Sequence, residues 1–463
     1  MSVVKSAAIV PHPPIILPNI GRGEEKKIEE ITKAYETAAE RILESEPDTI
    51  VIVTPHGEAY ADYIQLSSGP QASGDLANFN DAADRFQVQY DEELVREAEK
   101  IANQNGVPMG TLGRQMQDLD HGTMIPLYFL RNRNPEIRFV RVSAGGPSDL
   151  LHYQAGEILT EAASKLGRKI AVIGSGDLSH CQKAGTHYGF KAGGPQYDKK
   201  IMEIMSGAHF DELLAMNEKE ADDAMACAQK PFAFMAGTLD RTSSVPEYLG
   251  HSAEFGVGYG VTTYTDIKDD PARDFGDQAE AARKKRLEER ESKEDAYVTL
   301  ARKTINEIVE HGDLPPEDHT GIPSEMLDNK AGVFVSIHKN GDLRGCIGTT
   351  GPVTDSIYEE IRRNAVSAAL QDPRFFPIQP WELEDLEINV DVLGTPEPIS
   401  SEAELDPKKY GVIVSKNGHR GLLLPDLEGV DTIEQQVSIA KQKAGLSPNE
   451  KGCSLQRFEV IRH

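Results

Sequence analysis

Two histidines near the N-terminus each follow a short apolar run and a proline. His12 lies in AIVPHPP, and His56 lies in IVIVTPHG. The proline before each histidine stiffens the turn that orients the imidazole ring. If both runs are strands of one sheet, the two rings meet at the same edge of that sheet. Two neutral imidazoles that converge in this way supply half of the ligands of a divalent metal site.

Two further histidines occupy similar positions. The apolar run AVIG leads into SGDLSH, which places Asp177 and His180 just after a predicted strand. His121, in DHGT, precedes the apolar segment MIPLYFL and lies at the predicted N-terminus of a helix. A single histidine is more often a hydrogen-bonded turn residue than a ligand, but four at such positions favour one shared site. The histidines without this context, which we interpret as surface or packing residues, are His152, His187, His209 and His251.

The pattern of apolar residues predicts the strands and helices that must position these side chains. Apolar runs alternate with helical patterns over the first half of the chain, which predicts an α/β sheet with strands buried on both faces. In open α/β sheets ligands bind at the carboxyl ends of the strands, which is where these histidines fall. The predicted strands are residues 6–10, 49–54, 137–143 and 169–173, and the predicted helices are residues 24–44 and 150–165.

The composition limits the classes of protein to which the chain can belong. Its 463 residues are enough for two or three domains. A net charge of −26 argues against binding to nucleic acid or to anionic membranes, because both would be repelled. Prolines interrupt the N-terminal apolar segment and no run is long enough to span a membrane, so we expect a soluble cytoplasmic protein. Four scattered cysteines fit a reducing compartment with free thiols.

A charged segment separates two different sequence patterns. Of the 30 residues in 266–295, 19 are Asp, Glu, Lys or Arg, and we interpret this segment as a linker. Residues 1–265 then form the α/β domain, and residues 296–463 form a smaller α+β domain. In the smaller domain, Asn340-Gly341 and Asn417-Gly418 each separate two strand-like runs, which predicts tight hairpins. Its predicted helices are residues 296–310, 353–370 and 432–444.

Four motifs of the first domain, AIVPHPP, VTPHGE, DLDHGT and GSGDLSH, resemble those of the LigB-like domain of class III extradiol ring-cleavage dioxygenases and of the related Memo-like proteins. The resemblance implies a non-haem Fe(II) site that binds a catechol and O₂. It implies that His12 and His56 are metal ligands, that His180 moves the substrate's proton and that His121 orients the substrate. An imidazole suits proton transfer because its unperturbed pKa lies near neutrality. Asp177 is expected to fix the tautomer of a neighbouring imidazole.

The third metal ligand departs from the dioxygenase pattern. Where those enzymes carry a glutamate, this chain has EKEADDAMACAQKPFAFMAGTL, in which Cys227 falls closest to the expected place. Memo-like proteins also have a cysteine there, and a thiolate would admit copper or zinc as alternatives to iron. Cys227 could instead be a small buried residue. The alternative ligands within two helical turns are Glu220, Asp222 and Asp223.

The second domain carries a cysteine in a glycine-rich strand. Cys346 lies in LRGCIGT, where the flanking glycines leave room for another backbone or a ligand. Arg374, His419 and Arg420 could lower the pKa of its thiol if they lie near it. LRGCIG and DPRF resemble the AMMECR-type domain of AmmeMemoRadiSam system protein A, which implies a radical S-adenosylmethionine protein as a partner. We hypothesise that Cys346 is a nucleophile or covalent carrier, the alternative being a tightly packed strand.

The sequence therefore predicts a non-haem iron oxidoreductase that acts on a phenolic or catechol-like small molecule, with an AMMECR-type accessory domain. One alternative is a metal-binding or peptide-binding scaffold without oxygenase activity. Another is a zinc hydrolase whose nucleophile is a metal-bound water. The identity of the substrate, the use of O₂ and the oligomeric state stay open, and an oligomer is compatible with the sequence.

Overall fold

The structure is a computed structural model in which the chain divides into two compact units, Met1–Lys284 and Lys285–His463. This division falls inside the predicted linker, residues 266–295, which contains the end of one strand and a helix. The residues that the structure describes are 2–115, 118–339, 341–427 and 429–463.

The first unit alternates strands and helices, as its sequence pattern predicts. Its strands are β1 (Val4–Val10), β2 (Thr49–Thr54), β3 (Ile64–Leu66), β4 (Gln71–Leu76), β5 (Asp81–Gln89), β6 (Met109–Gly110), β7 (Arg138–Ser143), β8 (Ile170–Ser175), β9 (Thr242–Ser252) and β10 (Tyr259–Asp269). Its helices are α1 (Pro18–Gly21), α2 (Glu29–Glu44), α3 (Glu92–Asn105), α4 (His121–Phe129), α5 (Asp149–Leu166), α6 (Gly193–Gly207), α7 (Phe210–Leu214), α8 (Glu218–Ala224), α9 (Gln229–Gly237) and α10 (Phe275–Glu291).

Eight of these strands form one sheet in the order β6-β3-β7-β2-β8-β1-β10-β9. The central pairs β7–β2, β2–β8 and β8–β1 are parallel, so their carboxyl ends lie at one edge. Every residue of β2 and β8 is buried, as expected for strands that are covered on both faces. The ends of β1, β2 and β8 are therefore brought together at the edge where the motif histidines follow them.

Alternate side chains of β1 enter two different hydrophobic clusters. Ala7 and Ile9 belong to one cluster, whereas Ala8 and Val10 belong to the other. Because successive side chains of a strand point to opposite faces of the sheet, this alternation places one cluster on each face. The two hydrophobic clusters pack against the two faces of the sheet and hold β1 in position.

Helices α5 and α9 approach closely because glycines lie at their contact. A methyl group on Gly237 would come within 1.9 Å of the carbonyl oxygen of Tyr153. One on Gly156 would come within 2.2 Å of the carbonyl oxygen of Phe234. Only residues without a side chain permit this approach. The contact fixes α9, whose first turn comes directly after the Cys227 segment.

The second unit is an α+β domain with two antiparallel sheets of four strands, in the orders β12-β11-β13-β18 and β14-β17-β15-β16. Together with the first unit it confirms the predicted fold class. Its strands are β11 (Val333–Lys339), β12 (Asp342–Gly348), β13 (Leu386–Leu393), β14 (Glu397–Ile399), β15 (Gly411–Lys416), β16 (His419–Leu423), β17 (Ser454–Phe458) and β18 (Val460–Arg462). Its helices are α11 (Ala296–His311), α12 (Ser324–Asp328), α13 (Ile357–Leu370) and α14 (Ile433–Lys443).

Two predicted helix starts are wrong for local reasons. Helix α13 begins at Ile357 rather than residue 353, because the Glu360 carboxylate accepts hydrogen bonds from the backbone N–H groups of Val353 and Thr354 at 3.0 Å and holds them in a loop. The helix predicted from residue 24 begins with a 3₁₀ segment, Glu24–Ile28, before α2.

The second predicted hairpin is confirmed. Asn417 and Gly418 have φ of 48° and 82° and connect the antiparallel strands β15 and β16. Positive φ at both central residues is the requirement of the tight turn that Asn-Gly favours. The first hairpin joins β11 to β12, but Asn340 lies outside the described residues.

Among the described residues, the helices include none whose length and hydropathy would let it cross a bilayer.

Candidate metal centre

Three side chains from distant parts of the chain meet at the carboxyl edge of the large sheet. His12 follows β1, His56 follows β2, and Cys227 lies two residues before α9. Their ligand atoms all lie within 4.8 Å of one another. His12 Nε2 is 3.0 Å from His56 Nε2 and 3.6 Å from Cys227 Sγ. Two imidazole nitrogens and a sulfur at these separations could hold one metal ion.

Ser175, the last residue of β8, fixes the tautomer of the His12 ring. Its hydroxyl donates to the Gly122 carbonyl at 2.6 Å, so its oxygen is left to accept from Nδ1–H of His12 at 3.0 Å. With the proton on Nδ1, Nε2 carries the lone pair, and Nε2 is the atom that faces His56 and Cys227. The hydrogen bond therefore prepares His12 as a metal ligand.

Asp177 ties the ligand-bearing segments together through its backbone and its carboxylate. Its Oδ1 accepts from the backbone N–H of His12 at 2.8 Å. Its carbonyl accepts from the N–H of Cys227 at 3.1 Å, and its own N–H points to Cys227 Sγ at 3.3 Å. Burial raises the pKa of Asp177 to about 7. We expected Asp177 to fix a ring tautomer, but the contact to the His12 ring comes from Ser175, because the carboxylate points at the backbone instead.

Partial loss of contact with water favours the unprotonated form of the imidazoles at this edge. Among these residues His12 is buried, His121 and His180 are half-buried, and His56 is exposed. Burial lowers the pKa of His12 well below the ordinary value, and the charges of His56, His121 and His180 act in the same direction. Burial also lowers the pKa of His121 to about 4, with a further contribution from His56. The pKa values of His56 and His180 are lowered as well, again chiefly by burial. A neutral imidazole is the form that binds a metal ion.

Cys227 completes the donor set with a half-buried sulfur. Burial raises the pKa of its thiol, and the charge of Asp177 adds to this effect. A bound cation reverses such a shift, because a thiol that coordinates a metal loses its proton. The two neutral imidazoles and this sulfur therefore suit a divalent ion of intermediate softness.

His121 and His180, the other two motif histidines, flank the three donors. The His121 ring stacks on His56 with centroids 4.1 Å apart and lies 5.3 Å from the His12 ring. On its other side it meets Phe79 at 5.2 Å. The His180 ring meets Tyr188 edge-on at 5.1 Å. The four histidines that the sequence singles out are thus assembled around one edge of the sheet.

The carboxylates considered as alternative ligands lie on α8 and do not join this group. Glu220 pairs with Lys200 at 2.8 Å, and Asp223 lies 3.8 Å from Lys219. Asp222 is exposed and lines a cavity next to the centre. Within the described part of the chain, the group formed by His12, His56 and Cys227 is the one whose His, Cys, Asp or Glu atoms could hold a metal.

The remaining histidines of the first unit have other surroundings. His152 is fully buried, with Nδ1 3.0 Å from the Ser148 carbonyl, and His251 pairs with Asp198 at 2.8 Å. His187 lies beside Tyr188 at 4.7 Å, and His209 is exposed. None of them belongs to the three-donor group among the described residues.

Sequence reasoning did not assign roles to three residues of the site. Ser175 stands at the end of a predicted strand, in the same motif as Asp177 and His180, and that position was a usable signal. Phe79 ends a short 3₁₀ segment and Tyr188 lies in a loop, and neither belongs to a periodic pattern, so only the tertiary structure shows that they reach the histidines.

Cys346 of the second unit lies in β12 beside an aspartate–arginine pair. Its backbone N–H donates to Asp372 Oδ2 at 2.9 Å, and its carbonyl accepts from Arg374 at 3.0 Å. The Arg374 guanidinium holds the pKa of Asp372 well below its usual range. The Ser336 hydroxyl lies 3.2 Å from the Cys346 sulfur. This arrangement brings Arg374 to the cysteine, as the sequence suggests.

His419 and Arg420, the other two cations considered for Cys346, lie on β16 in the other sheet of this unit. His419 Nδ1 is 3.1 Å from the Ala444 carbonyl. The structure gives neither residue a contact with the thiol.

Two matches to known families show to which family the chain belongs. Residues 6–262 match the family described as the catalytic LigB subunit of aromatic ring-opening dioxygenase. The chain belongs to the LigB family. Residues 298–463 match AMMECR1, so a LigB domain is followed by an AMMECR1 domain, and the resemblance of both halves is confirmed.

Several proteins are similar to this chain over all or part of its length. A protein of Clostridium acetobutylicum is 38% identical over 462 residues, which cover 98% of each chain. A protein of Thermotoga maritima is 49% identical over 171 residues, which cover 37% of this chain and 98% of that protein. The crystal structure of an uncharacterized protein of Pyrococcus horikoshii is 31% identical and covers 36% of this chain and 88% of its own, with a TM-score of 0.33. That of an uncharacterized protein of Escherichia coli K12 is 14% identical and covers 56% and 99%, with a TM-score of 0.40.

Removal of the Ser175 hydroxyl tests the tautomer argument. In Ser175→Ala the Nδ1–H of His12 loses its acceptor, so the ring is no longer held with Nε2 towards the other donors. We expect metal affinity to fall about 10- to 100-fold, the usual effect of losing such a support. Competition with a chelator of known affinity measures the change. Ser179→Ala is the control, because that buried hydroxyl donates to the Ala224 carbonyl and accepts from the Cys181 N–H rather than from a ligand ring. Equal affinity of the Ser175→Ala protein and the wild type would contradict the argument.

Proposed function

We propose that the LigB domain is a non-haem iron oxidoreductase that binds a phenolic or catechol-like substrate at an ion held by His12, His56 and Cys227. The observation that carries the proposal is the convergence of these three donor atoms within 4.8 Å. The hydrogen bond from Nδ1–H of His12 to Ser175 leaves the lone pair on Nε2, the atom that faces the other two donors. Membership of a family described by aromatic ring opening supports the class of substrate. An iron ion, when bound, would supply the activation of the aromatic hydroxyl and of O₂.

The residues around the donors have separate tasks in this proposal. His180 takes the proton of the substrate hydroxyl, because burial lowers its pKa and keeps it a free base at neutral pH. Its Nδ1 is buried. His121, which stacks on His56 and meets Phe79 edge-on, lies where it could orient an aromatic ring.

We propose iron as the metal and keep copper and zinc as alternatives, because one of the three donors is a sulfur. The resemblance to class III extradiol dioxygenases favours iron, whereas a thiolate also suits copper or zinc. Zinc without oxygen consumption would favour a hydrolase that uses metal-bound water. A protein that binds no metal would favour a scaffold that recognises a peptide or a radical S-adenosylmethionine partner.

Substitution of the ligands is the first test. We expect His12→Ala and His56→Ala to lose the bound metal, because each removes one of three donor atoms. Cys227→Ser should weaken the binding of copper and zinc most, since a hydroxyl is a harder ligand than a thiolate. Anaerobic purification, metal analysis and oxygen uptake over a panel of catechols measure both the ion and the reaction.

The controls for this test are His209→Ala and Cys346→Ser. They remove an exposed histidine and a cysteine of the AMMECR1 domain, and both proteins should keep wild-type metal content. Full metal content in His12→Ala and His56→Ala would refute the ligand assignment. Iron without oxygen uptake on any catechol would refute the oxidoreductase.

Substitution of His180 separates proton transfer from metal binding. We expect His180→Ala to retain the metal, because the ring is not among the three donors. Its oxygen uptake should fall about 10²- to 10⁴-fold, the typical contribution of a positioned acid–base group. His209→Ala again serves as the control. A His180→Ala protein with unchanged turnover would remove His180 from the mechanism.

For the AMMECR1 domain we propose that Cys346 acts as a nucleophile or covalent carrier. The proposal is supported by the guanidinium of Arg374, which donates to the Cys346 carbonyl and so places a cation beside the residue that carries the thiol. We expect iodoacetamide near neutral pH to alkylate Cys346 faster than a free thiol peptide, and Arg374→Met to slow the reaction. Peptide mapping by mass spectrometry gives the rate at this cysteine. A rate no greater than that of the peptide would leave Cys346 as a packing residue.

A further inference from the structure

A buried aspartate on α6 contacts the segment that carries His180. Asp198 is 2% exposed, and its Oδ1 accepts from the backbone N–H of Ser179 at 2.8 Å. Ser179 directly precedes His180 in the chain. The carboxylate therefore holds the peptide unit next to the residue to which we assign proton transfer. A hydrogen bond to an ionised carboxylate is also stronger than one between two neutral groups.

His251, on the edge strand β9, holds the second oxygen of Asp198. Its Nε2 lies 2.8 Å from Asp198 Oδ2. A carboxylate only accepts, so Nε2 carries the proton and donates to this oxygen. Gly258, just before β10, leaves room for the pair, because a methyl group there would come within 1.9 Å of Asp198 Oδ2. Each oxygen of the carboxylate thus has its own donor, which fixes the orientation of Asp198.

Other contacts of the same segment are made by backbone groups. The N–H of Gly258 donates to the Ser179 carbonyl at 2.8 Å, and the N–H of His180 donates to the Ala224 carbonyl at 3.1 Å. The contact from Asp198 differs from these because it brings a charged side chain. It can therefore influence His180 through its charge as well as through the position of the backbone.

The charge of Asp198 acts on the His180 ring in the direction opposite to burial. Burial lowers the pKa of His180, whereas two backbone carbonyls and the charge of Asp198 raise it. A nearby negative charge favours the protonated imidazole, so Asp198 helps the ring to hold a proton taken from a substrate. The other titratable side chains near this ring are His12 after β1, His56 after β2 and Tyr188 in the loop after β8.

We propose that Asp198, oriented by His251, is a positioning residue for His180. The inference deepens the proposed function and rests on it for the role of His180 in proton transfer. Asp198 fixes the peptide that precedes the ring, and its charge favours the state in which the ring holds a proton. The competing explanation is that Asp198 and His251 only anchor α6 to the sheet.

Chemical modification of His180 tests the inference without turnover. Diethylpyrocarbonate reacts with the neutral imidazole, so its rate at His180 against pH reports the protonation of that ring. The metal-loaded full chain is treated to low conversion, and peptide mapping by mass spectrometry follows His180 alone. In Asp198→Asn we expect the profile to move to lower pH by about half a unit, which is about a threefold change in the protonation equilibrium, because the negative charge is lost.

Variants of His251 separate the orientation of Asp198 from its charge. His251→Ala leaves Asp198 Oδ2 without its donor, so we expect a smaller shift in the same direction. His251→Gln supplies an amide donor and should restore the wild-type profile. The His251 side chain is 29% exposed, so these variants keep the test valid if Asp198→Asn fails to fold. The control is Glu203→Gln, which removes another carboxylate of α6, paired with Lys199 at 3.9 Å, and should behave as wild type.

Oxygen uptake by the same variants gives a second readout. A positioning residue acts on the proton-transfer step rather than on substrate binding, so Asp198→Asn should lower kcat about 3- to 10-fold with little change in KM. His251→Gln should again resemble the wild type. A change in KM alone would contradict the positioning role.

The outcomes separate this inference from the proposed function. An unchanged His180 profile in both Asp198→Asn and His251→Ala overturns the positioning role even if catechols are oxidised, and leaves the pair as an anchor of α6. A shifted profile in a protein that consumes no oxygen with any catechol supports the positioning of His180 by Asp198 and overturns the oxidoreductase.

Discussion

The peptide segment from Ser175 to Asp177 is the part of the LigB domain on which the site depends. Its residues contact the His12 ring, the His12 backbone and the Cys227 segment, while Ser175 also reaches the carbonyl of Gly122. Three stretches that are far apart in the chain, around His12, Gly122 and Cys227, are therefore joined by one strand end. Because β8 lies between β1 and β2 in the sheet, its carboxyl end is the natural place for such a junction. The parallel order of the central strands therefore positions the candidate ligands as well as building the fold.

Electrostatics divides the carboxyl edge of the sheet into two regions. Around the three donors, the buried ring of His12 and the half-buried ring of His121 are neutral and provide lone pairs with little charge. Next to them, the cavity wall carries the carboxylates of Asp149, Glu218 and Asp222. The net charge of −26 adds a long-range field that attracts cationic small molecules.

The two domains place their reactive groups on different kinds of structure. In the LigB domain the candidate ligands follow strands or precede a helix, so each is aimed by a turn. In the AMMECR1 domain Cys346 lies within a strand, and its neighbours Asp372 and Arg374 come from the loop after α13. The bidentate pair of Asp372 and Arg374 holds that loop against the strand. Cys346 is thereby held by both its backbone N–H and its carbonyl, which fixes the position of its thiol.

The sequence by itself determined the class of each domain, the central strands and the four histidines of the site, because apolar alternation and strand-end motifs are local properties. It also named Cys227 as the expected third donor but left the carboxylates of α8 open as alternatives. That choice depends on which face of a short helix meets the sheet edge, which is set by the packing of α9 against α5 through Gly156 and Gly237. The role of Ser175, the backbone contact of Asp177 and the acidic cavity likewise arise from groups separated by up to 165 residues, as between His12 and Asp177. Only the tertiary structure could decide them, because no local pattern records which distant atoms become hydrogen-bond partners.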